Sequence, residues 1–148
     1  MSEIINLITQ LINNKIFISV FFAWFISNIV KVLIIFFTEK KTKFSDFYRS
    51  GGMPSTHTAG VTGLTVGVLL FEGVGTLFIV TLAFTIIVIH DAMGVRFQAE
   101  KHAKFLNEMI KKQKLDTPLF SEHIGHKVKE VVGGIIVGIV VPLAIYFL

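Results

Sequence analysis

Long apolar runs dominate the pattern of hydrophobic and polar positions along this chain. Three of them, Ile16 to Phe37, Val74 to Ile89 and Val131 to Leu148, predict membrane-spanning helices, since a span needs about 20 mostly apolar residues. A fourth run, Ala59 to Phe71, is short for a span, so we expect a tilted helix or one that extends back through the polar residues before it. The pattern therefore predicts an all-α fold, a polytopic membrane helix bundle of about four transmembrane helices.

Two other segments show the period of an amphipathic helix. Near the N-terminus, apolar residues recur at Ile4, Ile5, Ile8, Leu11 and Ile12, which predicts a helix lying in the membrane interface. Between the last two spans, one helical face carries Val95, Ala99, His102, Leu106, Met109 and Ile110. The opposite face carries Gln98, Lys101, Lys104, Asn107, Glu108, Lys111 and Lys112. This predicts a cytoplasmic amphipathic helix that rests on the membrane or on the protein.

Composition supports a membrane protein and excludes several kinds of site. Of the 148 residues, 53% are hydrophobic, and the mean hydropathy is +0.73, values that soluble domains rarely reach. The absence of cysteine excludes disulfides, thiolate catalysis and cysteine-based zinc sites. The length predicts one domain over residues 1–148.

The basic residues lie in two connections between apolar runs, not in a stripe that would fit nucleic acid. The first connection has Lys40, Lys41, Lys43 and Arg49, and the second has Arg96, Lys101, Lys104, Lys111, Lys112, Lys114, Lys127 and Lys129. Because Lys and Arg mark cytoplasmic loops, we expect both connections in the cytoplasm and both termini outside, in a bacterial inner membrane. Small residues within the spans, Gly60, Gly63 and Gly67 and then Gly134 and Gly138, predict close helix packing.

The stretch RSGGMPSTHTAG places polar residues where the chain enters the short apolar run. Gly51 and Gly52 permit a tight backbone path. Ser55 and Thr56 then offer hydroxyls and free N–H groups at a helix N-terminus, which favours anions and above all phosphate. His57, one step further, can donate a proton to the bound group. The alternative interpretation is a capping turn followed by one interfacial histidine.

Other polar residues near the span ends are candidates for the same anion. Lys31 lies within the first apolar run, where it either snorkels to the interface or faces a functional pocket. After the third run, Arg96 offers a planar fork that matches phosphate oxygens, and Asp91 is placed to hold it. His126 and Glu130 are four residues apart, so on a helix the carboxylate can accept Nδ1–H and leave Nε2 free as a nucleophile.

Three motifs, in this order, resemble a known family. GGMPSTH resembles the P-S-G-H motif of the type 2 phosphatidic acid phosphatase superfamily, and GHKVKEVVGGIIVG resembles the end of its third motif, G-x-H-x-x-x-D-V-x-x-G-x-x-x-G. With DAMGVR between them, the chain is most similar to the divergent branch of that superfamily. Its members are small membrane proteins described as acid phosphatase/vanadium-dependent haloperoxidase-related. The resemblance extends over nearly the whole chain from Lys31 onward.

The resemblance implies a hydrolase that needs neither metal nor cofactor. The residue matching His126 attacks phosphorus and becomes phosphohistidine, and the residue matching Glu130 orients it. The residue matching His57 protonates the leaving alkoxide and then helps water to attack. The family's lysine, arginine and serine positions hold the phosphate oxygens and correspond here to Lys31, Arg96 and Ser55.

This sequence departs from the superfamily pattern at several positions. No Arg-Pro follows Lys31 as the first motif K-x6-R-P requires, and apolar residues stand where the third motif has Ser-Arg. Thr56 replaces a glycine, and Glu130 replaces an aspartate. The candidates for the missing arginine are Lys40, Lys41 and Arg49. Arg96 would have to act from across the amphipathic helix, and a homodimer is one arrangement that would complete the site.

Three classes of function follow from these residues. The first is a lipid phosphate monoesterase facing the cytoplasm, with phosphatidylglycerophosphate as first substrate and a polyprenyl phosphate or diphosphate as second. The next is a non-enzymatic membrane protein that binds an anion in the same pocket. The last is a metal site built from His57, His90, Asp91, His123 and His126, although no H-E-x-x-H spacing is present.

Overall fold

The computed structural model describes residues 1–40, 47, 51–122 and 124–148. In chain order its helices are α1 (Ser2–Asn13), α2 (Lys15–Glu39), α3 (Thr56–Glu72), α4 (Thr76–Met93), α5 (Val95–Gln113) and α6 (Val128–Phe147). The described residues contain no strand. The predicted all-α membrane bundle is therefore confirmed.

Three of the described helical segments are long and apolar enough to cross a membrane: Lys15–Thr38, Thr76–Gln113 and Val128–Phe147. The predicted fourth span corresponds to α3, which has 17 residues. At 1.5 Å per residue this is about 26 Å, slightly less than the hydrocarbon core of about 30 Å. Three segments, the second of which joins α4 and α5, thus meet the length requirement where about four spans were predicted. Helix α3 is a short helix packed against α2, α4 and α6.

Glycines allow the neighbours of α3 to approach it closely. A Cβ added at Gly134 or Gly138 would come within 2.5 Å of α3 or its N-cap, and one at Gly63 would come within 2.9 Å of α2. The predicted close-packing role is confirmed for these three residues. Gly60 differs, because a Cβ there would meet no atom within 4 Å.

The N-terminal helix α1 has no buried residue, and its isoleucines and leucines are exposed. It ends at Asn14, whose side chain accepts hydrogen bonds from Ile16 N (2.9 Å) and Phe17 N (3.0 Å) and so caps α2. The exposed apolar residues of α1 are what the predicted interfacial helix requires.

Helix α5 buries a different face from the one its amphipathic pattern predicts. Its buried residues are Glu100, Ala103, Asn107 and Ile110. Leu106 is 42% exposed, whereas Asn107, predicted on the outer polar face, is 2% exposed. The reason is the segment that follows α5, because the Asn107 side chain donates to Phe120 O (2.9 Å) and accepts from Phe120 N (2.8 Å). An amide that satisfies two backbone groups is stable when buried.

Candidate active site

The candidate site lies where the start of α3, the end of α4 and the start of α6 meet beside α2. Two backbone hydrogen bonds hold these ends together. Ser55 N donates to Glu130 O (2.8 Å), and His126 N donates to Ala92 O (3.2 Å). Residues 75 positions apart in the chain are thereby joined, and the GGMPSTH and GHKVKE motifs become neighbours.

The buried His126 contacts the half-buried Glu130 at the start of α6. Nδ1 of His126 lies 3.0 Å from Oε2 of Glu130, and His126 is 5% exposed. The same carboxylate oxygen accepts a hydrogen bond from Lys127 N at 3.3 Å, which orients the acid. A carboxylate that accepts Nδ1–H leaves the Nε2 lone pair available for attack on an electrophile.

The N-terminus of α3 presents backbone N–H groups beside that pair. Ser55 is the N-cap and is fully buried, and its Oγ accepts from Thr58 Oγ1 (3.0 Å) and Thr58 N (3.4 Å). The alternative of a capping turn therefore describes the Ser55 hydroxyl correctly. The N–H groups of Thr56 and His57 have no partner within the helix and point out of its positive end. This end remains suited to phosphate.

Lys31 is 1% exposed, so it does not snorkel to the interface. Its stem lies against Gly52, where an added Cβ would be 3.7 Å from Lys31 Cγ. Gly52 has φ +90° and Gly51 has φ +77°, backbone conformations that glycine adopts without strain. The glycine pair thus allows the chain before α3 to pass over the lysine, and the protein carries one buried basic residue close to the start of α3.

Arg96 and Asp91 form an ion pair across the junction of α4 and α5. Arg96 Nε donates to Asp91 Oδ2, and the two side chains are 47% and 35% exposed. Because the carboxylate engages Nε, the guanidinium can turn its terminal nitrogens towards a ligand. A pair this exposed contributes little to stability, so we interpret Asp91 as a residue that orients Arg96.

His57 is the point at which these groups interact. Its side chain is exposed at the surface of the isolated chain, yet the surrounding protein withdraws it in part from water, and this desolvation lowers its pKa below 6.5. Electrostatic interactions with Arg96, His126 and Lys31 lower the pKa of His57 further, and Asp91 opposes them. Basic groups from three other parts of the bundle therefore act on one imidazole, which leaves the site short of negative charge until an anion binds.

Sequence reasoning missed two residues that position His126. Glu100 is 8% exposed, and its Oε2 accepts a hydrogen bond from Gly125 N at 3.0 Å, immediately before the histidine. Asn107 holds the preceding segment through Phe120, as described above. Both looked like ordinary polar positions on an amphipathic helix. No local pattern marks the face of α5 that turns inward.

Several residues considered in the sequence lie outside the described part of the structure. They are Lys41, Lys43, Arg49 and His123. Lys40 is described and forms the exposed C-cap of α2. Within the described ranges, no group of three or more His, Asp or Glu side chains is arranged to hold a metal ion. The metal alternative included His123, so it stays untested.

An apolar groove of about 310 Å³ opens between α2, α3 and α4. It begins at the first turn of α3, so His57 belongs both to the polar cluster and to the groove. Its lining residues are Val20, Trp24, Thr56, His57, Gly60, Val61, Leu64 and Phe84.

Comparison with known proteins identifies the family of this chain. A family model described as the divergent PAP2 family matches residues 12–141. The chain is similar to the uncharacterized membrane protein YuiD of Bacillus subtilis (strain 168), with 36% identity over 102 residues. That match covers 68% of this chain and 65% of the relative, so it spans slightly less than two thirds of the relative's length. No solved structure matches the chain. The family model includes every candidate residue from Lys31 to Glu130, and this integral membrane protein therefore belongs to the divergent PAP2 family.

Proposed function

We propose that this protein is a metal-independent lipid phosphate phosphatase that acts through a phosphohistidine intermediate. The observation that carries the proposal is the contact of the buried His126 with Glu130, whose Nδ1 and Oε2 are 3.0 Å apart. One backbone hydrogen bond joins Glu130 to Ser55 at the start of α3, and another joins His126 to Ala92 in α4. Lys31, His57 and Arg96 supply the positive charge and the proton that phosphoryl transfer requires. Membership of the divergent PAP2 family supports the same reaction class.

In the first step, the lone pair on His126 Nε2 attacks phosphorus while the bond from phosphorus to the ester oxygen breaks. The bonding electrons stay with the ester oxygen, which takes a proton from the His57 imidazolium and leaves as an alcohol. The proton on Nδ1 of His126 stays shared with Glu130, which offsets the positive charge that develops on the ring.

In the second step, water attacks the phosphorus of phosphohistidine. The P–N bond breaks, and its electrons return to Nε2 of His126. His57, now neutral, takes a proton from the attacking water, and inorganic phosphate leaves. Lys31, Arg96 and the N–H groups of Thr56 and His57 would hold the equatorial phosphoryl oxygens in both steps. The protein then returns to its starting protonation.

The candidate lipid substrates follow from the distribution of lysine and arginine along the chain. Basic residues follow α2 and extend through α5, a distribution that favours a site at the cytoplasmic face of a bacterial inner membrane. Phosphatidylglycerophosphate is a monoester made on that side and is one candidate, and a polyprenyl phosphate or diphosphate is the other. A homodimer would supply further basic groups, and cross-linking in native membranes tests it.

Phosphate release from a panel of lipids tests the proposed reaction. We expect purified protein in detergent to release phosphate from phospholipid or isoprenoid monophosphates in the presence of EDTA. If the protein binds vanadate or phosphate without turnover of any lipid, it is an anion-binding membrane protein. If EDTA abolishes the activity, the metal-independent mechanism is wrong.

Replacing His57 by alanine tests the proton donor. We expect His57→Ala to slow the hydrolysis of an alkyl phosphate by about 100-fold or more, the range typical of general acid catalysis. Hydrolysis of p-nitrophenyl phosphate should fall far less, because its leaving group departs without a proton. Steady-state kinetics on the two substrates measures the difference. Equal losses on both substrates would assign His57 to binding instead.

The pH dependence of hydrolysis by the parent and by His57→Ala tests the protonation state that His57 needs as a general acid. A general acid must be protonated, so kcat/KM should fall as the pH rises through the pKa of His57, which lies below 6.5 in the free protein. A bound phosphate dianion raises that pKa again, so the corresponding limb of kcat should lie at higher pH. Substrate ionisation near pH 6 affects both proteins equally. Identical profiles for the parent and His57→Ala would contradict the role.

A further inference from the structure

We infer that the groove between α2, α3 and α4 binds the apolar chain of the substrate, and that this chain is attached directly to the phosphate oxygen. The inference rests on the proposed function and adds to it a substrate class, alkyl or isoprenyl phosphates with a single chain at the reacting ester. It assigns a second part of the site, distinct from the residues that hold the phosphate.

The position of His57 connects the two parts. His57 interacts electrostatically with Lys31, Arg96 and His126, and it also lines the groove. In an in-line displacement, the leaving oxygen lies opposite the attacking nitrogen. If His57 protonates that oxygen, the first carbon of the leaving group lies on the groove side of His57. The chain that follows this carbon then enters the groove.

The chemistry of the lining selects an apolar occupant. Beyond the polar residues of the first turn of α3, the groove is walled by Val20, Trp24, Val61, Leu64 and Phe84. Apart from the single indole N–H of Trp24, this set offers no hydrogen-bond partner for the hydroxyls or the second phosphate of a glycerophosphate headgroup, and burying those groups unpaired is costly. A chain that is apolar from its first carbons avoids this penalty.

The dimensions suit one chain. From His57 to Leu64 the groove follows seven residues of α3, about 10 Å at the rise of a helix. Its volume is about 310 Å³, and a methylene group needs about as much space as a water molecule, about 30 Å³. There is room for about ten methylene groups of a single chain, and the remainder would extend into the bilayer.

Two features keep the groove open. Gly60 contributes no side chain, and a Cβ built there would meet nothing within 4 Å. The indole of Trp24 forms the opposite wall and is held by Phe47, whose ring lies edge-on at 5.9 Å. The gap at Gly60 is therefore space that a larger residue would fill without displacing protein atoms.

Replacing Gly60 by leucine tests the groove. We expect Gly60→Leu to lower kcat/KM for a C15 isoprenyl monophosphate by about tenfold or more, since each methylene excluded from an apolar site costs a factor of about four. The affinity for vanadate, which carries no leaving group, should stay within about twofold of the parent, because Lys31, Arg96 and His126 are unchanged. For the parent, kcat/KM should rise with alkyl chain length up to about ten carbons and then level off.

Gly75→Leu is the matched control, because Gly75 also faces open space but lies at the N-cap of α4, away from the groove. Unchanged isoprenyl phosphate hydrolysis in Gly60→Leu, or a parent that prefers phosphatidylglycerophosphate, would overturn the groove assignment and leave the proposed phosphatase standing. If the parent hydrolyses no substrate, the phosphatase proposal fails.

Photolabelling with a diazirine-bearing alkyl phosphate then tests separately whether an alkyl chain binds in the groove. Cross-links at Trp24, Leu64 or Phe84 support the groove assignment, and cross-links elsewhere contradict it.

Discussion

Replacing His126 by alanine should abolish lipid phosphate hydrolysis, with a loss of about 10⁴-fold or more in kcat. Removing the nucleophile removes the covalent route, and neither water nor Glu130 can take its place in the pocket that His126 leaves. Lys31, Arg96 and the start of α3 remain, so the affinity for inorganic phosphate should change little. Phosphate release from lipid and the binding of inorganic phosphate, measured on the same preparation, separate the two effects.

A matched control for this variant is His102→Ala, which removes an exposed imidazole from α5 outside the site. It should hydrolyse lipid phosphates as the parent does. A direct signature is also available, because acid-labile, base-stable label from a ³²P-phosphate ester should appear on the parent and not on His126→Ala. Turnover by His126→Ala comparable to that of the parent would exclude the phosphohistidine mechanism.

Replacing Gly138 by alanine should cause a large loss of stability. The added Cβ would lie 2.5 Å from Thr62 Cβ and 2.8 Å from Ala59 O, so α6 must move away from α3. Overpacking of this kind typically costs about 1–3 kcal/mol. Because the Ser55–Glu130 hydrogen bond joins the same two helices, activity should fall together with the apparent melting temperature in detergent.

Gly60→Ala provides the comparison, since it makes the same chemical change inside a helix but points into open space. Alanine is favoured over glycine in a helix by up to about 1 kcal/mol, so this variant should melt at or above the temperature of the parent. Equal melting temperatures for Gly138→Ala and Gly60→Ala would show that the close contact of α3 and α6 does not determine stability.

Local pattern was sufficient to identify most of the helices and to predict the short-range contacts among the candidate site residues. Apolar runs and helical spacing depend on neighbours in the chain, so the six helices lie close to the predicted segments. The spacing of His126 and Glu130 predicted their contact. The expected reason was a shared helical face, but His126 lies just before α6, so the contact is made across the N-terminus of the helix. Asp91 and Arg96 are also near in sequence, and their ion pair needed no distant partner.

The position of Lys31 was not decided by local pattern. Both the snorkelling and the pocket interpretation fitted its place in an apolar run, and burial against Gly52 distinguishes them. The inward face of α5 is a similar case, since the segment that precedes His126 makes Asn107 and Glu100 interior residues. Each of these outcomes depends on a segment far away in the chain that comes to lie against the residue.

The glycines of α3 and α6 also separate what the sequence predicts from what the tertiary structure decides. The sequence by itself determined that this is a helical membrane protein with histidines, a lysine and an arginine near its helix ends, because hydrophobicity and helical period are local properties. Only the tertiary structure decided that atoms of α3 occupy the space beside Gly138, while the space beside Gly60 is an open groove next to His57. The physical reason is that the space around a side chain is set by the atoms of other helices, and a single sequence position does not specify which of them will be there.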